Sequence, residues 1–550
     1  MIRRRAPAET TLLLYVTALG WLASCGPAPG AQSRQVAVLR VPLARDILTL
    51  DPLRAEDITT YNVVRQIYEG LLDYDPRTLA IVPRLARSWS VSPDGLSWRF
   101  ELEEDVRFVD DPCFPAGRGR KVVADDARYA IERCVASFRG PSPRPELPAI
   151  AGLAEFLGGS SDHVEGILAE SDGVLLIRLV RPDPLLPHFL VRPCCRLVPR
   201  EAVTAYGDEL RVHAVGTGPF RLVHWQPLSG VLLVRNRRYW GRDESGAALP
   251  SLDAVRFIPG SPESQLRLYA QGRLDMTGGA SSTPVRPRSG DTPAHPVAEQ
   301  PFFVPRLNTI FVRFDYSSAH PVVRDPRLRR ALACAVPRPT GGTQRPARGL
   351  LPPGLPGHDP SLDGQRTDLA EGARLLEAAS HSGGCGLPPL RLAWREWDAA
   401  VGDRIARALR GLGLRVELAF HPDAEYWGAV GAGRADLFRA GWVADYPDPQ
   451  TFLELFYSGA ASNSGRYSHA GFDALFEAFR VETDLARRLE LAGRMERLLV
   501  DDAAALFLLH EGESHLVSPR VENWEANGTN PLSIVFYERL KVLPLAGRPG

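Results

Sequence analysis

Leu437-Phe438-Arg439-Ala440-Gly441-Trp442, continuing into Val443-Ala444-Asp445-Tyr446-Pro447-Asp448-Pro449, reads as an apolar strand that leaves into a loop. Two prolines restrict the loop backbone, and Trp442 and Tyr446 stand on either side of Asp445. An acid in a stiff loop, with Arg439 just upstream, makes the sharpest candidate binding pair in the chain. A plainer reading has Asp445 capping a turn and Arg439 paired with Asp436 or Asp448. Trp442 and Tyr446 would line a cleft beside Asp445, or Trp442 would fill the core. Asp445 and Asp448 also resemble the paired carboxylates a glycosidase needs, but a proline-containing turn leaves their separation open.

Working outward, strands and helices alternate. Gln35 to Pro42, Trp98 to Leu102, Gly173 to Leu179, Gly230 to Arg235, Thr309 to Phe314 and Leu414 to Ala419 read as strands. Helical spacing covers Asp57 to Leu72, Ala124 to Phe138, Pro262 to Gln271, Thr367 to Ala379, Asp398 to Leu412, Phe472 to Arg480 and Asp484 to Asp502. Ser92-Pro93-Asp94-Gly95 is a turn. Gly216-Thr217-Gly218-Pro219 is a rigid turn, and Asp325 would cap a helix whose Arg327, Arg329 and Arg330 form salt bridges at its end. His510-Glu511 reads as the end of a strand. Ser281 to Gln300 and Pro337 to Asp363 are loop-like, the first a lobe boundary. The alternation predicts an α/β protein with sheets covered by helices.

The chain opens with Arg3, Arg4 and Arg5, then an apolar run closed by Leu22-Ala23-Ser24-Cys25. That is the order of a secretory signal, and the run falls short of the ~20 residues a membrane helix needs. Residues 1–24 are expected to be a signal peptide. Cys25 after Leu-Ala-Ser resembles a bacterial lipobox, in which the peptidase cuts before the cysteine and its sulfur carries a lipid. Residues 25–35 would then be the lipidated cysteine and a linker.

The 550 residues are too many for one core, so several lobes are expected. Basic and acidic residues balance at 65 each, which gives no footprint for nucleic acid. Besides Cys25 there are Cys113, Cys134, Cys194, Cys195, Cys334 and Cys385. Export permits disulfides, and vicinal Cys194 and Cys195 are expected to take separate partners. No C-x-x-C pair or His/Cys ligand spacing is present, so no metal or other cofactor is expected. No nucleophile elbow, Walker A loop or His-Glu-x-x-His helix is present, so no enzyme is expected.

Four blocks taken together resemble the extracellular solute-binding family of peptide and nickel ABC importers. The first holds Leu50-Asp51-Pro52, Ile67-Tyr68-Glu69-Gly70-Leu71, Pro83-Arg84-Leu85-Ala86-Arg87-Ser88-Trp89 and the Ser92 turn. The second is Gly216-Thr217-Gly218-Pro219-Phe220 with Arg235-Asn236-Arg237-Arg238-Tyr239-Trp240-Gly241. The third is Asp325-Pro326-Arg327-Leu328-Arg329-Arg330-Ala331-Leu332, and the fourth is the Gly441–Pro449 loop with Thr451-Phe452. Two departures stand out: Phe108-Val109-Asp110-Asp111 replaces the family's Phe-His-Asp-Gly, and Pro337-Arg338 replaces its Asp-Arg.

The resemblance implies a type II periplasmic-binding-protein fold with an extra lobe, two of its three lobes closing around the ligand. Lobe I would hold residues 36–69, 201–285 and 521–550; lobe II 70–200; lobe III 286–520. It implies a lipid-anchored monomer on the periplasmic side of a bacterial envelope that captures peptides and delivers them to ABC permease and ATPase subunits. A protein that reads any peptide must hold its termini and backbone. In the family, the Asp matching Asp445 pairs with the peptide's α-ammonium, and an Arg matching Arg439 takes the carboxylate in some members. A nickel chelate, an opine or an oligosaccharide are alternative ligands, and ligand sensing without transport is an alternative role.

Overall fold

A computed structural model describes residues 36–139, 147–278, 302–339, 341–527 and 534–543. The expected signal peptide, Cys25 and linker lie outside the described residues, as does the whole Ser281–Gln300 loop. Among the described residues no helix is long and apolar enough to cross a membrane.

Three larger sheets organise the chain. The first runs Val38–Leu43, Ala254–Pro259, Gly230–Arg235, Phe220–Gln226, with its first pair parallel. The second is antiparallel: Ala86–Val91, Ser97–Leu102, Val174–Arg178, Ile167–Ser171. Trp98, Phe100 and Leu102 point into its core while Arg99 and Glu101 do not, as alternation requires. These two sheets share one continuous apolar core.

The third sheet has seven strands. Phe302–Pro305, Ala505–His515, Asn308–Phe314, Leu437–Val443, Leu390–Arg395 and Val416–His421 follow in order, and Gln344–Pro346 pairs with Ala505–His515 off this path. Asn308–Phe314 is buried along its whole length, which fits a strand with a core on each face. One face packs on Pro326–Ala335, Leu369–Ala378 and Ala399–Gly411, the other on Asp423–Gly431, Ala470–Phe479 and Leu485–Asp501. The chain returns from this sheet through a segment in which Thr277 N donates to Leu516 O at 2.8 Å and Ser518 N to Asp275 O at 2.8 Å.

Several expectations need correction. The helix expected over Asp57 to Leu72 stops at Val64, because the next backbone is taken up elsewhere: Gly218 N donates to Ile67 O and Phe220 N to Gln66 O. Gly216 and Gly218 allow that approach, since a Cβ on Gly216 would stand 2.1 Å from Ile67 O. His510 lies within the strand Ala505–His515, not at its end, because the strand goes on to pair with Phe302–Pro305. Pro337 to Asp363 is mostly loop but contains the strand Gln344–Pro346. Cys194 bonds Cys134, whereas Cys195 has no disulfide partner among the described residues. Cys195 sits buried beside that pair, its thiol pushed up to about 12 by burial, and the disulfide leaves both neighbouring sulfurs unable to act as thiolates. Asp325 caps Pro326–Ala335 as expected, with Arg329 on Asp502 at 2.5 Å.

Candidate functional site

Leu390–Arg395 runs parallel to both Leu437–Val443 and Val416–His421, so the carboxyl ends of three neighbouring strands open on one side of the sheet. Crevices at such ends are where open α/β sheets bind ligands. The loop after Val443 carries Asp445 there.

Thr451 holds this loop in shape. Its buried hydroxyl accepts from Trp442 Nε1 at 3.0 Å and from Asp445 N at 3.3 Å, and donates to Asp445 Oδ2 at 3.2 Å. Asp445 is exposed, and Trp442 is half-buried against the core of the sheet's helical layer. Asp448 plays a different part. It is buried, both its oxygens accept from Arg488 (2.9 and 3.1 Å), and its Oδ1 caps the next helical turn at Gln450 N. Burial works against its charge, but the Arg488 guanidinium overrides this and holds the carboxyl below its ordinary value. Asp445 and Asp448 therefore do not form a shared carboxylate pair.

Tyr446 turns toward another part of the chain. Its ring centroid lies 5.6 Å from that of His188, whose Nδ1 is 3.1 Å from Tyr74 Oη. Burial drives the Tyr446 phenol well above its usual range and lowers His188 to about 4, so His188 is neutral.

Arg439 pairs with neither Asp436 nor Asp448. Asp436 belongs to Arg391 at 2.7 Å, and Arg439 Nε donates to Asp398 Oδ2 at 3.3 Å. Strand alternation also sends Arg439 and Trp442 to opposite faces. The structure thus brings Trp442 and Asp445 together through Thr451, seats Tyr446 on His188 and leaves Arg439 with Asp398. Thr451, His188 and Asp398 escaped the sequence reading. Only Thr451 had a signal there, being part of the fourth block.

Residues 80–464 match the model of bacterial extracellular solute-binding proteins, family 5, over its middle region. The chain belongs to this family. Family 5 members are solute-binding proteins rather than enzymes. The periplasmic oligopeptide-binding protein OppA of Escherichia coli is 26% identical over 521 residues, covering 90% of this chain and 91% of OppA. The oligopeptide-binding protein OppA of Bacillus subtilis is 25% identical over 529 residues, covering 90% of each chain. Among solved structures, the unliganded open form of the murein tripeptide-binding protein MppA superposes with a TM-score of 0.77 at 23% identity, covering 92% of this chain and 98% of that one. DppA from Helicobacter pylori, in complex with the peptide STSA, gives 0.65 at 21% identity, covering 93% and 99%. These likenesses fix the fold of this family 5 member as that of a type II periplasmic binding protein.

Proposed function

We propose that this chain is the substrate-binding component of an ABC importer, capturing peptides between two lobes and delivering them to a membrane permease and its ATPase. The observation that carries the reading is Asp445: an exposed carboxylate at the carboxyl ends of three strands, fixed by Thr451 and flanked by Trp442. A carboxylate held this way suits a ligand's α-ammonium, and the indole covers backbone without demanding one side chain. Tyr446 lines the same cleft from its seat on His188. The relatives in Escherichia coli and Bacillus subtilis are oligopeptide-binding proteins, which favours peptides.

Lobe I takes residues 36–69, 201–285 and 521–550, lobe II 70–200 and lobe III 286–520; each of the three larger sheets falls within one of these divisions. Lobes I and III close as jaws, and the ligand favours the closed state through contacts to both. Residues 1–24 direct export, Cys25 carries the lipid, and the monomer works on the periplasmic side of the envelope. The periplasmic relatives support the compartment.

Native mass spectrometry of the soluble Cys25→Ser form, purified without refolding, tests this reading. Co-purified peptides of mixed sequence and narrow length would support it. A single non-peptide mass, such as a bile acid, sugar or metal chelate, would overturn the peptide assignment.

A further inference from the structure

An open cavity of about 530 Å³ lies where helices from the two faces of the seven-stranded sheet meet. Pro326–Ala335 borders it from one face, Ala470–Phe479 and Leu485–Asp501 from the other. None of its lining residues belongs to the Asp445 loop. The volume is that of a small-ligand site. Arg494, Arg497 and Asp501 are spaced three and four residues apart, on one face of Leu485–Asp501, and Arg330 reaches the same cavity from Pro326–Ala335.

Charge in the cavity does not cancel. Asp502, which also lines it, is taken up by Arg329: Nη2 lies 2.5 Å from its Oδ1, and Nε donates to its carbonyl at 3.1 Å. Three guanidinium groups then face one further carboxylate, that of Asp501. Arg330 is fixed through its Nε, which donates to the Asp501 carbonyl at 2.6 Å and leaves both terminal nitrogens for another acceptor. Arg494 and Arg497 make no hydrogen bond or ion pair among the described residues, and Asp359 feels Arg497 only at longer range. Their neighbours on the same helices behave differently, since Arg329 and Arg488 are both buried against carboxylates. His469 adds a donor, because its Nδ1 accepts from Phe472 N at 3.2 Å and the ring proton therefore sits on Nε2. Guanidinium forks match the paired oxygens of phosphates and carboxylates, and a concave basic wall concentrates such anions.

We propose that this cavity is a second ligand site, one that binds a small oxyanion carrying two or more negative charges through Arg330, Arg494 and Arg497. The ligand is phosphate- or carboxylate-based, and its charged oxygens turn toward the arginines and away from Asp501. The site does not depend on the peptide reading and stands if that reading fails.

Calorimetric titration of the soluble Cys25→Ser form with inorganic pyrophosphate and with citrate, at about 150 mM sodium chloride to screen diffuse surface charge, tests it. One ion per chain is expected, with a Kd below about 1 mM, and the tighter probe tells phosphate from carboxylate chemistry. Arg494→Gln with Arg497→Gln is expected to weaken binding by about tenfold or more. Arg404→Gln with Arg407→Gln, an exposed pair on Ala399–Gly411, is expected to leave it within about twofold of the parent form. All four arginines are exposed, so neither double variant removes a buried contact. No saturation by either probe up to about 10 mM would overturn the proposal. Equal weakening in the two double variants would overturn it as well, by assigning the binding to general surface charge.

Discussion

The Tyr446 ring lies 5.6 Å from the imidazole of His188, on the short helix Leu186–Leu190, and so joins the loop that carries Asp445 to a distant part of the chain. Tyr74 Oη closes the other side of the imidazole, and the charges of Asp448 and Arg488 act on it from the loop's own side. The position of this loop is therefore set from two directions: Thr451 from within, and His188 from outside.

His188→Ala should remove one of these supports. The loss of a buried ring pair and its hydrogen bond is expected to cost about 1–3 kcal/mol in urea unfolding. Ligand affinity should fall several-fold, through the position of Tyr446 and the loop. An unchanged affinity would show that the loop holds its shape without this contact.

The pH dependence follows from the same ring. Burial lowers His188 and His510 to about 4, below the ordinary value of 6.5. Between these values the unfolded chain takes up protons that the folded chain refuses, so stability present at pH 7 is lost as pH falls from 6.5 toward 4. Glu496 runs the other way. Burial raises it to about 7, so its contribution is present at low pH and lost as pH rises through 7. Two groups oppose one, and thermal unfolding is expected to show lower stability at pH 5 than at pH 7. The penalty of His188→Gln should be smaller at pH 5 than at pH 7.5; a constant penalty would contradict the neutral, buried histidine.

Arg488 and Asp448 form a buried bidentate pair beneath the loop, with Arg488 also 3.8 Å from the Phe479 ring centroid. Arg488→Met strands the Asp448 carboxylate and should cost about 3–5 kcal/mol in chemical denaturation. The double variant with Asp448→Leu should recover part of that loss, though Gln450 N then loses its cap. If the double variant were no more stable than the single, the stranded charge would not be the cause.

Much of the frame is legible in the sequence alone. Gly230–Arg235 has the bounds expected for it, and Leu437–Val443 leaves into a loop as its apolar run and prolines require. Local signals fix these elements: alternation, a cap, a proline. The failures share a physical cause. Nothing local stops a helix after Val64; a sequence-distant glycine pair claims the backbone of Gln66 and Ile67. Likewise, the partners of Arg439 and Tyr446 come from other strands and helices, where a single sequence holds no record of proximity. Asp398 reads only as a helix start, and His188 as one histidine in an apolar stretch.

Thr451→Val keeps the side-chain volume but removes the one hydroxyl that serves Trp442, Asp445 N and the Asp445 carboxylate. Removing that acceptor should cost about 1–3 kcal/mol of stability and release Asp445 from its fixed direction. Peptide affinity is expected to drop by about tenfold, and Thr451→Ser should restore most of it. Equal loss in the serine variant would assign the effect to packing of the methyl group.

The central claim is that the Asp445 carboxylate reads a ligand's ammonium, and calorimetry with one peptide in free-amine and N-acetylated forms tests it most directly. The wild type should prefer the free amine by tenfold or more, in line with the ~1.5–3 kcal/mol of a charge-assisted hydrogen bond, and Asp445→Asn should bind both forms equally weakly. Equal affinity of the wild type for the two forms, or a preference that survives Asp445→Asn, would contradict the account.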